Sequence, residues 1–276
     1  MERIQAAIQK AKEQRGTAPV DATAGVFTPS APSRAEEVVG TVGPAWEVLP
    51  FFEPDPELME RHRIVTFADI DPAHSTFDML RTKVLRTMRQ NGWKSLGVTS
   101  PTAGCGKSMT CLNLAFSLAN QPDLRTVLVD LDLRRPALAR ELGLDVAQSM
   151  AGVLQGTRSV AENFVRYGKN LAIGTNAAPV RNSSELLLNA ATAQGVAAIK
   201  AAFAPDVLVY DLPPMLMSDD AMAFLPHLDC VLLVAGAEKS SLEDVEACEH
   251  DLSEQTNLLG VTLNMCRYMG ESYGYY

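Results

Sequence analysis

A chain of 276 residues that is 47% apolar can bury one full α/β core and leave some tail over. Its 33 acidic residues outnumber 24 basic ones for a net charge of −9, which sets aside non-specific attraction to nucleic acid or an anionic membrane. No apolar run approaches the roughly 18–20 residues that cross a bilayer, and the five cysteines show neither a CxxC pair nor metal spacing, so reduced thiols in a cytoplasm are expected.

The opening MERIQAAIQKAKEQR has no hydrophobic signal core. Ile4, Ala7, Ile8 and Ala11 recur at helical spacing with Arg3, Lys10, Lys12 and Arg15 on the other faces, which predicts an N-terminal helix over 1–15. That helix is either solvated or a docking element for a partner. From 16 to 56 the composition shifts to Ala, Thr, Ser and Gly with seven prolines, the mark of a flexible tether, with Trp46, Phe51 and Phe52 at its end as pins to the folded body.

The main domain is expected over 57–265. Arg63–Phe67 reads as a short strand or an extended lead-in, and Asp71-Pro72 opens a helix to about Gln90. Apolar strands follow at Leu96–Thr99, Val127–Val129, Leu171–Ile173, Val207–Val209, Val231–Val234 and Leu259–Leu263. Helices begin near Gly106, Pro136, Asn182, Ser218 and Ser240. This alternation predicts an α/β fold, a mostly parallel twisted sheet with helices on both faces.

The first of these strands runs into Ser100-Pro-Thr-Ala-Gly-Cys-Gly-Lys-Ser108 with a helix directly after. Small residues let successive amides turn inward and the helix N-terminus adds partial positive charge, as a phosphate-binding loop requires. Ala103, Gly104, Cys105, Gly106 and Met109 would cradle the phosphates of ATP, Lys107 would reach the outer ones, and the Ser108 hydroxyl would ligate Mg²⁺. Pro101 stands where the strict pattern has its first glycine. The second strand ends Asp130-Leu-Asp132-Leu-Arg134, two carboxylates facing one way where open α/β sheets bind ligands. Beside phosphates such a pair calls for a cation; away from them it would be a solvated strand end. Asp211, after Val207-Leu-Val-Tyr, occupies the Walker B position and completes a set of Lys107, Asp130, Asp132 and Asp211.

The last nine residues hold four of the six tyrosines, Tyr268, Tyr273, Tyr275 and Tyr276. In a tail over 266–276 such rings either pack back on the protein or serve as phosphate acceptors in another molecule's active site.

SPTAGCGKS, VLVDLDLRRP, YDLPP with Asp220-Ala221 beyond it, DCVLLVAGAEKSS, LLGVTLN and the tyrosine tail together resemble the bacterial tyrosine autokinases of capsule and exopolysaccharide biosynthesis in their free-standing cytoplasmic form. The resemblance covers roughly 75–276, and the N-terminal helix and tether also look like the exosortase-associated autokinases. It implies a P-loop fold and ATP-dependent phosphorylation of the tail. It also implies Asp132 and Asp211 as Mg²⁺ partners, Asp130 as the base for the tyrosine proton, Arg134 near the phosphates or the tail, and Asn264 facing the adenine. It further implies self-association for transfer between copies. The cytoplasmic segment of a membrane polysaccharide co-polymerase, a chain-length regulator, would be a partner that recruits the chain to the inner face of the membrane. Members carry a glutamate and two arginines where this chain has Ser75, Asp78 and Arg81, so only the last matches in the helix that supports ring assembly. Two other classes share the loop. The cell-division and chromosome-partitioning ATPase switches carry a signature lysine where Thr102 stands here, and an ATP-binding scaffold would need none of Asp130, Asp132 and Asp211.

Overall fold

The computed structural model describes residues 44–67, 73–145 and 147–266. The N-terminal helix, the tether as far as residue 43, Asp71-Pro72 and the four tail tyrosines lie outside the described residues.

A seven-stranded sheet carries the fold: β1 Ser95–Thr99, β2 Thr126–Asp130, β3 Phe164–Tyr167, β4 Leu171–Gly174, β5 Val207–Asp211, β6 Cys230–Gly236 and β7 Asn257–Asn264. Their spatial order is β3-β4-β2-β5-β1-β6-β7. All neighbours run parallel except β3 and β4, which form an antiparallel pair at one edge. The six apolar runs in the sequence are the six parallel strands. Their residues alternate between two cores, as period-two side chains must. Val127, Val129, Leu208, Tyr210, Val231 and Leu233 face one layer, and Leu96, Val98, Leu128, Val209, Leu232 and Val234 face the other.

The helices that cover the sheet are α1 Pro44–Val48, α2 Pro56–Arg61, α3 His74–Asn91, α4 Lys107–Ala119, α5 Leu138–Leu142, α6 Met150–Leu154, α7 Ser183–Leu188, α8 Ala190–Phe203, α9 Asp220–Phe224 and α10 Leu242–Gln255. Buried side chains of α2 to α5 enter the second core, and those of α1 and α6 to α10 enter the first. Among the described residues no helix is long and apolar enough to cross a membrane.

Two expectations change. The segment 44–56, expected as the end of the tether, packs on the body: Trp46 is 1% exposed, its indole N–H donates to the Phe203 carbonyl at 2.9 Å, and the two rings meet edge to face. Leu49 and Phe52 are buried too, whereas the Phe51 ring is 63% exposed and that residue is held through a backbone bridge to Arg166. Burial of three large apolar side chains outweighs what the proline content of the stretch suggests. Of the two readings of Arg63–Phe67, a short strand or an extended lead-in, the strand does not form: the amides of Val65 and Thr66 donate to the Asn113 side-chain oxygen on α4, so a carboxamide takes the place of a strand partner.

Candidate active site

Strand order decides where the chemistry sits. β5 lies between β1 and β2, with Val98 opposite Asp211 on one side and Asp130 opposite Asp211 on the other. The loop after β1 and the acids ending β2 and β5 therefore meet at one edge of the sheet.

The loop turns from Thr99 to α4 through Gly104 at φ 77° and Gly106 at φ 85°, a left-handed backbone that side-chain-bearing residues rarely adopt. Gly106 is constrained in space as well, since a Cβ there would run into the Asn264 carboxamide. That carboxamide donates to the Cys105 carbonyl at 2.9 Å, and the Lys239 ammonium donates to the Gly104 carbonyl at 2.8 Å. With its carbonyls engaged on Asn264 and Lys239, the loop leads into the N-terminus of α4, a site suited to an anion.

Lys107, the first residue of α4, is 8% exposed. Its ammonium lies 2.8 Å from Asp132 Oδ2 and 3.2 Å from Asp211 Oδ1, and donates to Ser108 Oγ at 3.3 Å. Burial alone would lower its pKa, but the charges of Asp211 and Asp132 outweigh it and hold the ammonium above its ordinary range. Burial raises the pKa of Asp211, against the pull of Lys107. One Asp211 oxygen, Oδ2, is buried without a hydrogen-bond partner.

That orphaned oxygen, together with Asp132 and the Ser108 hydroxyl, fits Mg²⁺. The ion takes few protein ligands and keeps waters and substrate phosphates for the rest of its octahedron. Among the described residues there is no denser His, Cys, Asp and Glu cluster that would cage a metal without them.

Asp130 is placed differently from Asp132. It is fully buried, its Oδ1 accepts from the Asp132 amide, and its Oδ2 accepts from the Ala137 and Leu138 amides, each at 3.2 Å. Burial and the neighbouring Asp211 push its pKa well above the usual carboxylate range. In this state it holds the turn between β2 and α5 rather than facing a substrate. Arg134 is held by a second buried acid: its guanidinium donates to Asp220 from Nε and Nη2, at 2.9–3.1 Å, while Ser183 Oγ donates to the same carboxylate.

A cavity of about 440 Å³ opens over this edge. Of the residues singled out in the sequence, Ala103, Gly104, Gly106, Lys107, Ser108, Met109, Asp132 and Arg134 reach its wall. Cys105 and Asn264 do not: the Cys105 thiol points to Ser240 and Thr102, and Asn264 props the loop. Arg135, Arg140, Glu141, Pro213, Pro214, Met217 and Ser218 complete the wall. Arg135, Pro213 and Pro214 stand within the VLVDLDLRRP and YDLPP runs but were not assigned to the site; no pattern pointed to the others, and Glu141 on a five-residue helix carries no periodic signal. Its carboxyl is largely buried with Oε2 unpartnered, and that burial, reinforced by Asp211, raises its pKa to about 7.

Residues 96–270 match the family described as the CobQ/CobB/MinD/ParA nucleotide binding domain. The tyrosine-protein kinase YwqD of Bacillus subtilis is 30% identical over 209 residues, 71% of this chain and 86% of YwqD. The "Putative tyrosine-protein kinase EpsB" of Ralstonia nicotianae is 30% identical over 74% of this chain, which spans about a quarter (27%) of the EpsB length. In fold, the kinase domain of the Escherichia coli tyrosine kinase ETK superposes with a TM-score of 0.66 at 22% identity, over 83% of this chain and 94% of that one. The chain belongs to the CobQ/CobB/MinD/ParA nucleotide-binding domain family, in the branch formed by the bacterial tyrosine-protein kinases.

Proposed function

We propose that this chain is an ATP-dependent protein-tyrosine autokinase that phosphorylates Tyr268, Tyr273, Tyr275 and Tyr276 of its own kind. The observation that carries the proposal is the Lys107 ammonium lodged between Asp132 and Asp211, beside an unpartnered Asp211 oxygen. Phosphate and metal would exchange into that arrangement without rebuilding it. The amides of 103–109 and Lys107 bind the triphosphate; Ser108, Asp132 and Asp211 hold the metal. Mg²⁺ supplies the neutralising charge for the transferred phosphoryl group.

The reaction joins a tyrosine oxygen to the γ-phosphorus and releases ADP. Arg134, oriented by Asp220, offers its second face to the phosphates or the incoming tail. The tyrosine proton goes to Asp130, once the 131–138 turn releases the carboxylate from its backbone donors. Until then Asp130 fixes Asp132 by accepting its amide. The motif resemblance supports a role in exopolysaccharide or capsule polymerisation and export. There the kinase would act in the cytoplasm at the inner face of the membrane, with the cytoplasmic segment of a co-polymerase as partner and self-association bringing tail to site.

Incubation with Mg·ATP followed by an anti-phosphotyrosine blot tests this. Lys107→Met is expected to abolish labelling. Because Lys107 neutralises two buried acids, Lys107→Met paired with Asp132→Asn serves as the fold control. Labelling by Lys107→Met at the normal rate would overturn the site, and ATP hydrolysis without tyrosine labelling would make the chain a nucleotide switch.

A further inference from the structure

We propose that the mouth of the cavity recognises an acidic residue two positions before the acceptor tyrosine, and that its occupant is the Glu271-Ser272-Tyr273 segment of a second copy of this chain. This inference rests on the kinase proposal above.

Charge is the first argument. In a chain of net charge −9, four cations, Lys107, Arg134, Arg135 and Arg140, line one cavity against two acids, Asp132 and Glu141. Two of the four are already engaged: Lys107 by Asp132 and Asp211, Arg134 by Asp220. Arg135 is exposed and its guanidinium has no ion pair among the described residues. The Arg140 side chain is 74% exposed and makes only a 3.9 Å contact with Glu141. Among the described residues the cavity thus keeps one exposed guanidinium with no ion pair, that of Arg135, beside a second, that of Arg140, held only by the long contact with Glu141, and Arg suits planar carboxylate recognition.

The second argument is the apolar part of the same wall. Pro213, Pro214 and Met217 line it, and Met217 is 53% exposed. A lip of prolines and a thioether accepts the face or edge of an aromatic ring. A ligand that carries a ring and an anion together would suit this mouth.

The tail supplies both at the right spacing. In an extended segment residues i and i+2 project to the same side, about 6.6 Å apart. Glu271 and Tyr273 stand in that relation, whereas Tyr268 follows Cys266, Tyr275 follows Tyr273 and Tyr276 follows Gly274 at the same offset. The mouth therefore favours Tyr273 over the other three. β7 runs parallel to β1 and leaves the sheet at the edge where the cavity opens. Tyr273 stands nine residues after Asn264, which is itself bonded to the phosphate loop at Cys105, so presentation to its own site would require a tight fold-back that presentation to a second copy would not.

The test pairs two full-length chains. The donor carries Tyr268→Phe, Tyr273→Phe, Tyr275→Phe and Tyr276→Phe, the acceptor carries Lys107→Met, and mass spectrometry reads the rate at each acceptor tyrosine. Tyr273 is expected to be labelled first. Glu271→Gln in the acceptor, or Arg135→Ala with Arg140→Ala in the donor, each lowers the Tyr273 rate about fivefold, and the two together lower it no further. Losses that multiply, or a Tyr273 rate indifferent to Glu271, overturn the inference while leaving the kinase standing. So does a donor defect confined to the KM for ATP, which would assign the arginines to the nucleotide. Self-labelling of the wild-type chain with an unlabelled acceptor overturns the second-copy occupant. No tyrosine labelling by the unaltered chain under any pairing refutes the kinase proposal itself, and this one with it.

Discussion

Glu141→Gln isolates the electrostatic cost that this site imposes on the fold. Burial, and secondarily the negative charge of Asp211, raises the Glu141 pKa from 4.5 to about 7, against the opposing pull of Arg140 and Lys107. The folded chain therefore keeps the Glu141 proton up to about pH 7, while the unfolded chain loses it near 4.5. Folded protein binds more protons in that window, so stability falls as pH rises through it. At about 1.36 kcal/mol per pKa unit, the displacement corresponds to about 3 kcal/mol, an upper figure because the side chain keeps some contact with water. Asp130 and Asp211, whose pKa values are also raised, add slopes of the same sign but remain in both proteins, so the comparison cancels them. Urea unfolding of the two proteins between about pH 4 and pH 8 is the assay. The variant is expected to gain on the wild type steadily as pH rises from 4.5 to 7 and to hold a constant lead above it. Parallel stability profiles would refute the argument, showing that the carboxylate ionises in the folded chain as it does in water.

The remaining predictions concern the loop, the acid behind it and the anchor. Gly106→Ala must combine a left-handed backbone with a collision against Asn264, and should weaken binding of a fluorescent ATP analogue more than tenfold; unchanged affinity would mean that the loop has another way to close. Asp130→Asn puts an N–H₂ or a single oxygen where three amides donate, so a stability loss of about 1–3 kcal/mol is expected in urea melts. It should also slow transfer more than it weakens ATP binding, and equal loss of both would count against Asp130 as base. Trp46→Ala empties a buried site and removes the bond to the Phe203 carbonyl, which should cost about 3–5 kcal/mol of unfolding free energy. A cost below about 1 kcal/mol would return 44–56 to the tether.

The central parallel strands were legible because they are buried on both faces and spell apolar runs, as at Val207-Leu-Val and Val231-Leu-Leu-Val, and even the edge strand β7, largely unburied, keeps Leu, Val and Leu around its glycine and threonine. β3 was not: Phe164-Val-Arg-Tyr sits on an edge, is half-buried at its end, and pairs antiparallel through a tight turn. Composition over 16–56 described an average, since a few anchoring side chains barely alter the mean of a long segment; the aromatic pins Trp46 and Phe52 could still be picked out, whereas the burial of Leu49 and the exposure of the Phe51 ring could not. Lys107, Ser108, Asp132 and Asp211 could be named because the loop pattern and strand ends fix their backbone positions. Side-chain commitments are set by tertiary neighbours far off in sequence, and so the withdrawal of Asp130, the hold of Asp220 on Arg134 and the isolation of Glu141 could not be read from spacing.

Asn264 ties two ends of the machine together. It closes β7, accepts the Ala237 amide on its own carbonyl, and props the phosphate loop at Cys105. The tyrosine segment begins directly beyond it. One carboxamide thus joins the last strand to the phosphate loop, and the contact that props the loop lies four residues before the first of the clustered tyrosines.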